Sequence, residues 1–492
     1  MTGEPAPIDE RTSHVDFSGR TVLVVGGAGY VGSVLVTELL RAGAEVRVLD
    51  QLIYDNGFAL AHLLDDPHLW FRRGDLRSRD DLAEAAAGAT DLVLLASLVG
   101  DPICKAYPEL AHEINENGAK RIVDHLDDMG IRRFVFTSTC SNYGIHESSR
   151  LATEESALNP QSLYAHTKIE VEKHVLDRAG ELACATTVLR IATAYGLSPR
   201  MRFDLTVSQF AWELATGRPL QVYDADTWRP YCHVRDICKA IMTTLTSEES
   251  VIRGEVFNVG DTSQQFTKRM VVDEIRRHVR DVPVTYGDKG SDPRNYRVSF
   301  DKIARLLDFR CDHTVQDYLA RLTAAVQAGI FPDVGADPRF GNYKVIHGEP
   351  THRAPSSSRC VLRCPRGKRG VPVRSLGRID HSLVDEGQEP IMGEASSQPD
   401  RASPRPGRRA GRPAVLTPPL GIPLLPSWQR RPAADPPSPA QPGRPGKLCC
   451  CGHGREAHEH YRKGSDCGVC GASGCAAYVR APLRKRLWSR RP

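Results

Sequence analysis

Apolar residues fall in two alternating rhythms through the first two hundred positions of this 492-residue chain. Val22–Val25 is a short unbroken apolar run, and Val31, Leu35, Leu39 and Leu40 then recur at helical spacing. Val46–Asp50 and Leu69–Arg73 read as further strands, Arg79–Ala87 as a helix, and Asp91–Leu95 as a buried strand. A long helical pattern covers Pro108 to Asp128. Arg133–Ser138, Leu163–Ala179 and Ala185–Arg190 follow as strand, helix and strand. Strands alternating with helices at this spacing imply an α/β fold, a Rossmann-type doubly wound parallel sheet covered on both faces. Right-handed crossovers then bring the carboxyl ends of the strands to one edge, where ligand and chemistry meet.

Beyond Tyr195 the rhythm changes. Leu205–Ala215, Val234–Leu245, Thr267–Val279 and Val315–Gln327 read as helices and Glu255–Val259 as a strand, the mixed pattern of a smaller C-terminal lobe facing the substrate. From about Gly348 periodicity stops, and more than half of the 34 prolines lie beyond it, among Arg, Gly and Ser. The expected organisation is a flexible N-terminus at 1–18, a nucleotide-binding domain with the catalytic residues at 19–195, and a substrate lobe at 196–347. A disordered linker at 348–447 and a Cys/His-rich end at 448–492 complete it. A run such as RASPRPGRRAGRPAVLTPPL buries too little apolar surface to offset chain entropy, and translation of GC-rich DNA in a wrong frame would give a similar composition.

Charge sharpens that division. From Thr351 on, 26 basic residues face 10 acidic ones, whereas the preceding part carries a net −11. With no run of about 18 apolar residues, a membrane span is not expected. The N-terminus lacks a charged-then-apolar export pattern, and the front part's cysteines stand singly as reduced thiols do, so a cytoplasmic location is expected.

The chemistry begins at the first turn, where Gly26, Gly29 and Gly32 join strand to helix. Gly26 permits the turn, Gly29 lets backbone approach a pyrophosphate, and Gly32 lets helix pack on strand, with the helix N-terminus offering N–H groups to the phosphates. Tyr30 and Val31 border the same cofactor site. Asp50 ends the next strand about 20 residues on, where a carboxylate bonds the adenosine ribose of NAD and repels the extra phosphate of NADP.

Tyr164 and Lys168 stand four apart at the head of a helix, on one face. An ammonium beside a phenol favours the phenolate, and the oxidised nicotinamide adds positive charge, so Tyr164 can act as general acid and base while Lys168 also holds the nicotinamide ribose. The strand ending before them offers three hydroxyls, Thr137, Ser138 and Thr139.

With these residues in place, Thr21–Tyr343 resembles an extended short-chain dehydrogenase/reductase of the NAD-dependent sugar epimerase/dehydratase family, with enzymes like UDP-glucose 4-epimerase among its members. The motifs are Gly26–Gly32, Gly74-Asp75-Leu76, Asn115, Ser138-Thr139 with Tyr143-Gly144, Tyr164 with Lys168, Trp228–Asp236 and Phe257–Gly260. The resemblance implies that Asp75 and Leu76 border the adenine, that Asn115 belongs to the cofactor site, and that Thr139 bonds the reacting sugar oxygen. It also implies that Arg229 clamps the pyrophosphate of a nucleotide-sugar, and it makes homodimerisation through 107–128 and 163–179 typical. Dehydratases of the family place an Asp-Glu pair after the catalytic threonine; Cys140 and Ser141 stand here, which argues against that elimination. Thr193 replaces a substrate-touching Asn, and Lys289 stands where many epimerases carry a second phosphate-binding Arg, with Arg294 and Arg297 either its substitutes or surface charge. His233 is a substrate contact or, better, a structural histidine of its loop.

The implied reaction is epimerisation: Tyr164 takes the 4-OH proton while hydride leaves C4 for NAD and returns to the other face of a 4-keto sugar. The alternatives are a nucleotide-sugar 4-ketoreductase or related oxidoreductase, which would consume NAD(P)H, and an NAD-sensing binding protein, which would not need the Tyr–Lys pair. At the far end, Cys449, Cys451, Cys467, Cys470 and Cys475 have the spacing of a zinc knuckle or form a free thiol cluster, and the basic RAPLRKRLWSRRP is read as solvated rather than as binding nucleic acid.

Overall fold

The first strand is apolar on both faces because it lies between two others and is covered by helices on each side. In the computed structural model β1 (Thr21–Val25) pairs in parallel with β2 (Glu45–Asp50) on one edge, through α1 (Tyr30–Arg41). The structure describes residues 15–146, 150–287, 292–332, 334–335 and 337–347, and the backbone of 361–363. The elements that follow are β3 (Leu69–Arg73), α2 (Arg79–Ala86), β4 (Asp91–Leu94), α3 (Asp101–Ala106), α4 (Pro108–Ala111), a π-helical stretch (His112–Gly118), α5 (Ala119–Asp124), β5 (Arg133–Thr139), α6 (Leu163–Arg178) and β6 (Ala185–Ile191).

These strands build one sheet in the order β6-β5-β4-β1-β2-β3, all parallel. The order reverses between β1 and β4, and a crevice opens outside their carboxyl ends. Two apolar clusters cover the faces. Val34, Leu35, Ile237 and Ile241 lie in one, and Leu82, Ile122, Val123, Val171 and Val175 in the other.

The chain then forms β7 (Thr193–Tyr195), α7 (Thr206–Ala215), β8 (Leu220–Tyr223), β9 (Trp228–His233), α8 (Val234–Thr246), α9 (Glu249–Ile252) and β10 (Glu255–Val259). After these come β11 (Gln265–Thr267), α10 (Lys268–Arg276), β12 (Val284–Gly287), α11 (Asp301–Leu307), α12 (Val315–Gln327) and β13 (Val361–Arg363). Small sheets β11-β9-β7 and β12-β8 frame the lobe.

Three expectations need correction. β10, read as part of the substrate lobe, pairs in parallel with β6 and extends the main sheet, since an edge strand with free N–H and C=O groups accepts any strand that reaches it. The pattern over Pro108–Asp128 is not one α-helix. It widens to π geometry at His112–Gly118, where Asn115 is drawn inward to the Leu98 backbone and Gly118 packs so close that a Cβ would lie 2.2 Å from Leu76. β13 falls within the stretch read as linker, yet its backbone pairs antiparallel with β3. Residues 1–14, Lys289 and the cysteines at 449–475 lie outside the described residues. Among the described residues no helix is long and apolar enough to cross a membrane.

Candidate active site

The glycine turn leaves a cradle at the crevice. Gly26 has φ +91°, and a Cβ on it would meet the Ala96 nitrogen at 2.6 Å; one on Gly32 would lie 2.3 Å from the Gly26 carbonyl oxygen. A Cβ on Gly29 would touch only the Gly26 oxygen, at 3.2 Å, so the space beside that backbone is open. Gly29 caps α1 with no side-chain hydrogen bond, which leaves the N–H groups of the first turn for an anion. Asp50 closes the far side. Its carboxylate accepts N–H from Ala28 at 3.0 Å and Leu52 at 2.8 Å, bonds that oppose the upward push of burial on its pKa. Free backbone donors, a cleared cradle and a carboxylate one strand away fit a dinucleotide. Asp75 is buried and binds Arg77 through both oxygens, with Leu76 beside it. Asn115 grips the Leu98 backbone in both directions, its Oδ1 accepting at 2.7 Å and its Nδ2 donating at 3.0 Å, so it fixes the loop that follows β4. Tyr30 bonds the Gly196 carbonyl through its hydroxyl at 2.6 Å.

Tyr164 and Lys168 sit in the first turns of α6, whose N-cap Ser162 accepts the Ala165 N–H. The Lys168 ammonium is 5.8 Å from the centre of the Tyr164 ring, donates to the Thr137 carbonyl at 2.9 Å and lies over Phe136. Burial pulls Lys168 down to about 8, and Cys104 and Glu172 oppose it. Burial pushes the Tyr164 phenol up, as does Cys104, while Arg202 and Arg294 act the other way. The three candidate hydroxyls of β5 have different partners. Thr137 donates to the Leu94 carbonyl at 2.8 Å, and Ser138 donates to the buried Glu172 carboxylate. Thr139, half-buried, bonds only within its own turn, to the nitrogen and hydroxyl of Ser141 at 3.1 and 2.9 Å.

The lobe supplies arginines already matched by acids. Arg229 donates to the carbonyls of Trp228, at 2.7 Å, and of Arg294, and its Nη2 lies 3.2 Å from Asp292. Arg294 makes a two-pronged pair with Asp292 at 2.7 and 2.9 Å and reaches Asp101 at 3.2 Å. Against burial, Arg294 and Arg229 hold the Asp292 carboxyl well below the usual carboxylate range. The Asp101 contact crosses from the head of α3 to the lobe. Arg297 stacks over Trp228 at 5.3 Å.

Residues 22–260 match the model of the NAD dependent epimerase/dehydratase family. The chain is 28% identical over 314 residues to the UDP-glucose 4-epimerase of Corynebacterium glutamicum, covering 60% of this chain and 91% of that one. It is 33% identical over 248 residues to the low-salt glycan biosynthesis protein Agl12 of Haloferax volcanii, covering 49% and 76%. The chain belongs to the NAD-dependent epimerase/dehydratase family. Among solved structures of similar fold is MoeE5 in complex with UDP-glucuronic acid and NAD, at 27% identity and a TM-score of 0.55, covering 63% of this chain and 99% of that one.

Within this epimerase/dehydratase fold, several site residues escaped sequence reading. Arg200, Arg202 and Asp204 come from the loop after β7, and Asp101 and Asp292 from the two sides of the cleft. Arg202 grips Asp204 through two bonds at 2.9 and 2.6 Å. The available signal was charge density in PRMRFD, three residues after the glycine that follows β7. Cys140, at the first position of the missing acidic pair, turns inward, its thiol on the Arg190 carbonyl at 3.1 Å and fully buried. His233 is structural: its Nδ1 accepts the Arg235 N–H at the head of α8, and its ring stacks on His313 at 4.1 Å. With Asp236 these two form a group whose ligand atoms lie within 4.8 Å. Asp236 is already engaged by the N–H groups of Asp312 and His313 and by the His313 ring, and near-parallel stacked rings aim poorly at one metal ion.

Proposed function

We propose that the chain is an NAD-dependent nucleotide-sugar epimerase that works through a 4-keto sugar. The observation that supports this most is the placement of Tyr164 and Lys168 in the first turns of α6, which packs on β5, with Thr139 at the end of β5 on the same carboxyl edge of the sheet as the glycine turn and the Cys140 thiol buried away. The cradle and Asp50 would hold NAD, which when bound supplies the two-electron acceptor for C4 and returns the hydride. The chain's own work is proton handling. Tyr164 takes the proton of the 4-hydroxyl and gives it back, at the range of rate gain expected of a positioned acid/base, about 10²–10⁴-fold. Lys168 stabilises the phenolate by its charge, and Thr139 bonds the sugar oxygen. With Cys140 and Ser141 after Thr139 in place of an Asp-Glu pair, the residues argue against elimination. Arg229 and Arg294 serve the substrate phosphates, whose approach exchanges for the contacts with Asp292 and Asp101.

The test is to incubate the purified full-length chain and its NAD with a panel of UDP-, GDP-, CDP- and dTDP-sugars, following products by NMR and absorbance at 340 nm. An epimer should form with no net absorbance change. Stoichiometric NADH consumption with a keto sugar would replace epimerisation by ketoreduction. The reading also pairs two copies through α4–α5 and α6. Sedimentation of the full chain should then show a dimer, and a monomer at every concentration would remove this pairing.

A further inference from the structure

Residues 337–347 leave the substrate lobe and run back over the nucleotide-binding sheet. The Phe340 carbonyl accepts the Phe203 N–H at 2.7 Å, and the two rings meet edge-on at 5.7 Å. The Gly341 carbonyl accepts from Arg200 Nη2 at 3.1 Å. Asn342 donates its N–H to Asp204 at 3.2 Å and its Nδ2 to the Val99 carbonyl at 3.1 Å. The N–H groups of Ile346 and His347 both reach the Ile53 carbonyl, at 2.7 and 3.3 Å.

Val99 lies in the loop after β4 and Ile53 in the loop after β2, and these strands are the two neighbours of β1. A segment bonded to both loops passes across the carboxyl end of β1, whose continuation is the glycine turn. Two strand spacings come to about 9.6 Å. The four residue steps from Asn342 to Ile346 span at most about 14 Å when extended. The crossing is therefore direct.

Arg200 is held beneath this segment. It is 2% exposed, its guanidinium sits over the Tyr54 ring at 5.2 Å, and its Nη1 is buried without a hydrogen-bond partner. Ser198 ties its loop to the head of α1, donating to the Tyr30 carbonyl at 2.7 Å and accepting the Arg200 N–H at 3.2 Å. A buried cation with an idle donor is costly, and costlier near a helix N-terminus, where the backbone already presents positive charge. Of the two acids that act on Arg200, Asp204 is taken up by Arg202 and Asp50 by the N–H groups of Ala28 and Leu52. An anion at the head of α1 relieves both charges at once.

We infer that residues 337–347 are the outer wall of the cofactor crevice and that Arg200, which this wall holds, pairs with the diphosphate of the dinucleotide. Burial and the neighbouring Arg202 pull Arg200 down to about 10, and Asp204, Tyr54 and Asp50 only partly oppose them. The inference rests on the NAD reading and extends it: a cofactor used in both directions within one turnover gains from a wall that slows its escape.

The test uses the full chain loaded with NAD. The double variant Asn342→Ala/Ile346→Pro removes the side-chain bond to Val99 and the shorter of the two bonds to Ile53, leaving only the longer one from His347, and Asn342→Ala alone serves if the double variant does not fold. Exchange of bound NAD against labelled NAD should be at least about tenfold faster in the double variant and a few-fold faster in the single one. Arg200→Met should weaken NAD and ADP about tenfold or more and leave adenosine unchanged, which a merely structural role would not do. Unchanged exchange in a variant that melts like the wild type overturns the wall. Faster uptake of NAD without faster release also overturns it, making the segment a plug. Equal weakening of adenosine and ADP overturns the Arg200 assignment. A wild-type chain that takes up no NAD overturns the cofactor reading itself, and the wall with it.

Discussion

The two sides of the cleft are built on different physics. On the cofactor side the groups that would cradle a diphosphate are mainly backbone: N–H donors at the head of α1 and a turn in which Gly26 and Gly32 leave no room for a Cβ and Gly29 opens the space beside it, with Asp50 and Arg200 at its flanks. On the lobe side they are side chains in ion pairs, Arg229 and Arg294 against Asp292 and Asp101, with as many acids as bases. A backbone cradle is set once β1 and α1 pack, and it has no alternative partner. An arginine–aspartate cluster has one, and substrate must compete with it. The difference teaches where specificity is adjustable: the dinucleotide is selected by shape, and the substrate phosphates by exchange of partners.

The largest expected effect isolates the chemistry from both sides. Tyr164→Phe should lower turnover at least about 10³-fold, within the span of lost acid/base catalysis, while NAD still co-purifies; an active Phe variant in the NMR assay would remove Tyr164 from its role. Next comes the rigid side. Gly32→Ala drives a methyl to 2.3 Å from the Gly26 oxygen, so bound NAD should vanish and stability fall by about 1–3 kcal/mol, the cost of overpacking, seen in melting and in cofactor absorbance. If this variant kept its NAD, the cradle would be as adaptable as the lobe and the contrast would fail.

The exchangeable side should respond less and in both directions. Arg294→Ala should raise KM about tenfold or more, the loss of a charged hydrogen-bond partner, with a smaller change in kcat. Asp101→Asn, which frees Arg294 of one competitor, should lower KM a few-fold; equal KM values in wild type and Asp101→Asn would mean that the pair does not compete with substrate. The smallest effect is on stability against pH. Folding lowers Lys168 from its usual 10.5 to about 8 by burial, so between those values the unfolded chain holds one more proton than the folded one, and stability rises with pH across that window. Lys168→Met should therefore melt a few degrees higher than wild type at pH 7, with the gap narrowing above pH 8; a gap that is constant with pH would show that the ammonium is solvated in the fold.

Sequence by itself determined what depends on neighbours along the chain. The apolar run at Val22–Val25, the glycine spacing after it, Asp50 at the end of β2 and the four-residue interval from Tyr164 to Lys168 are local patterns, and each maps onto one element or one turn. Tertiary structure decided what depends on residues far apart. Glu255–Val259 looks like any short strand, and only the free edge of β6 makes it part of the main sheet. Thr137, Ser138 and Thr139 are equivalent as letters; partners 34 and 43 residues away occupy the first two and leave Thr139 at the cleft. Arg229 reads as a phosphate clamp and Arg294 as either a second one or surface charge, because nothing in the sequence shows Asp101 reaching across to meet Arg294. Periodicity and turn chemistry are carried by a few consecutive residues, whereas charge pairing and burial are set by which distant segments come together when the sheet closes.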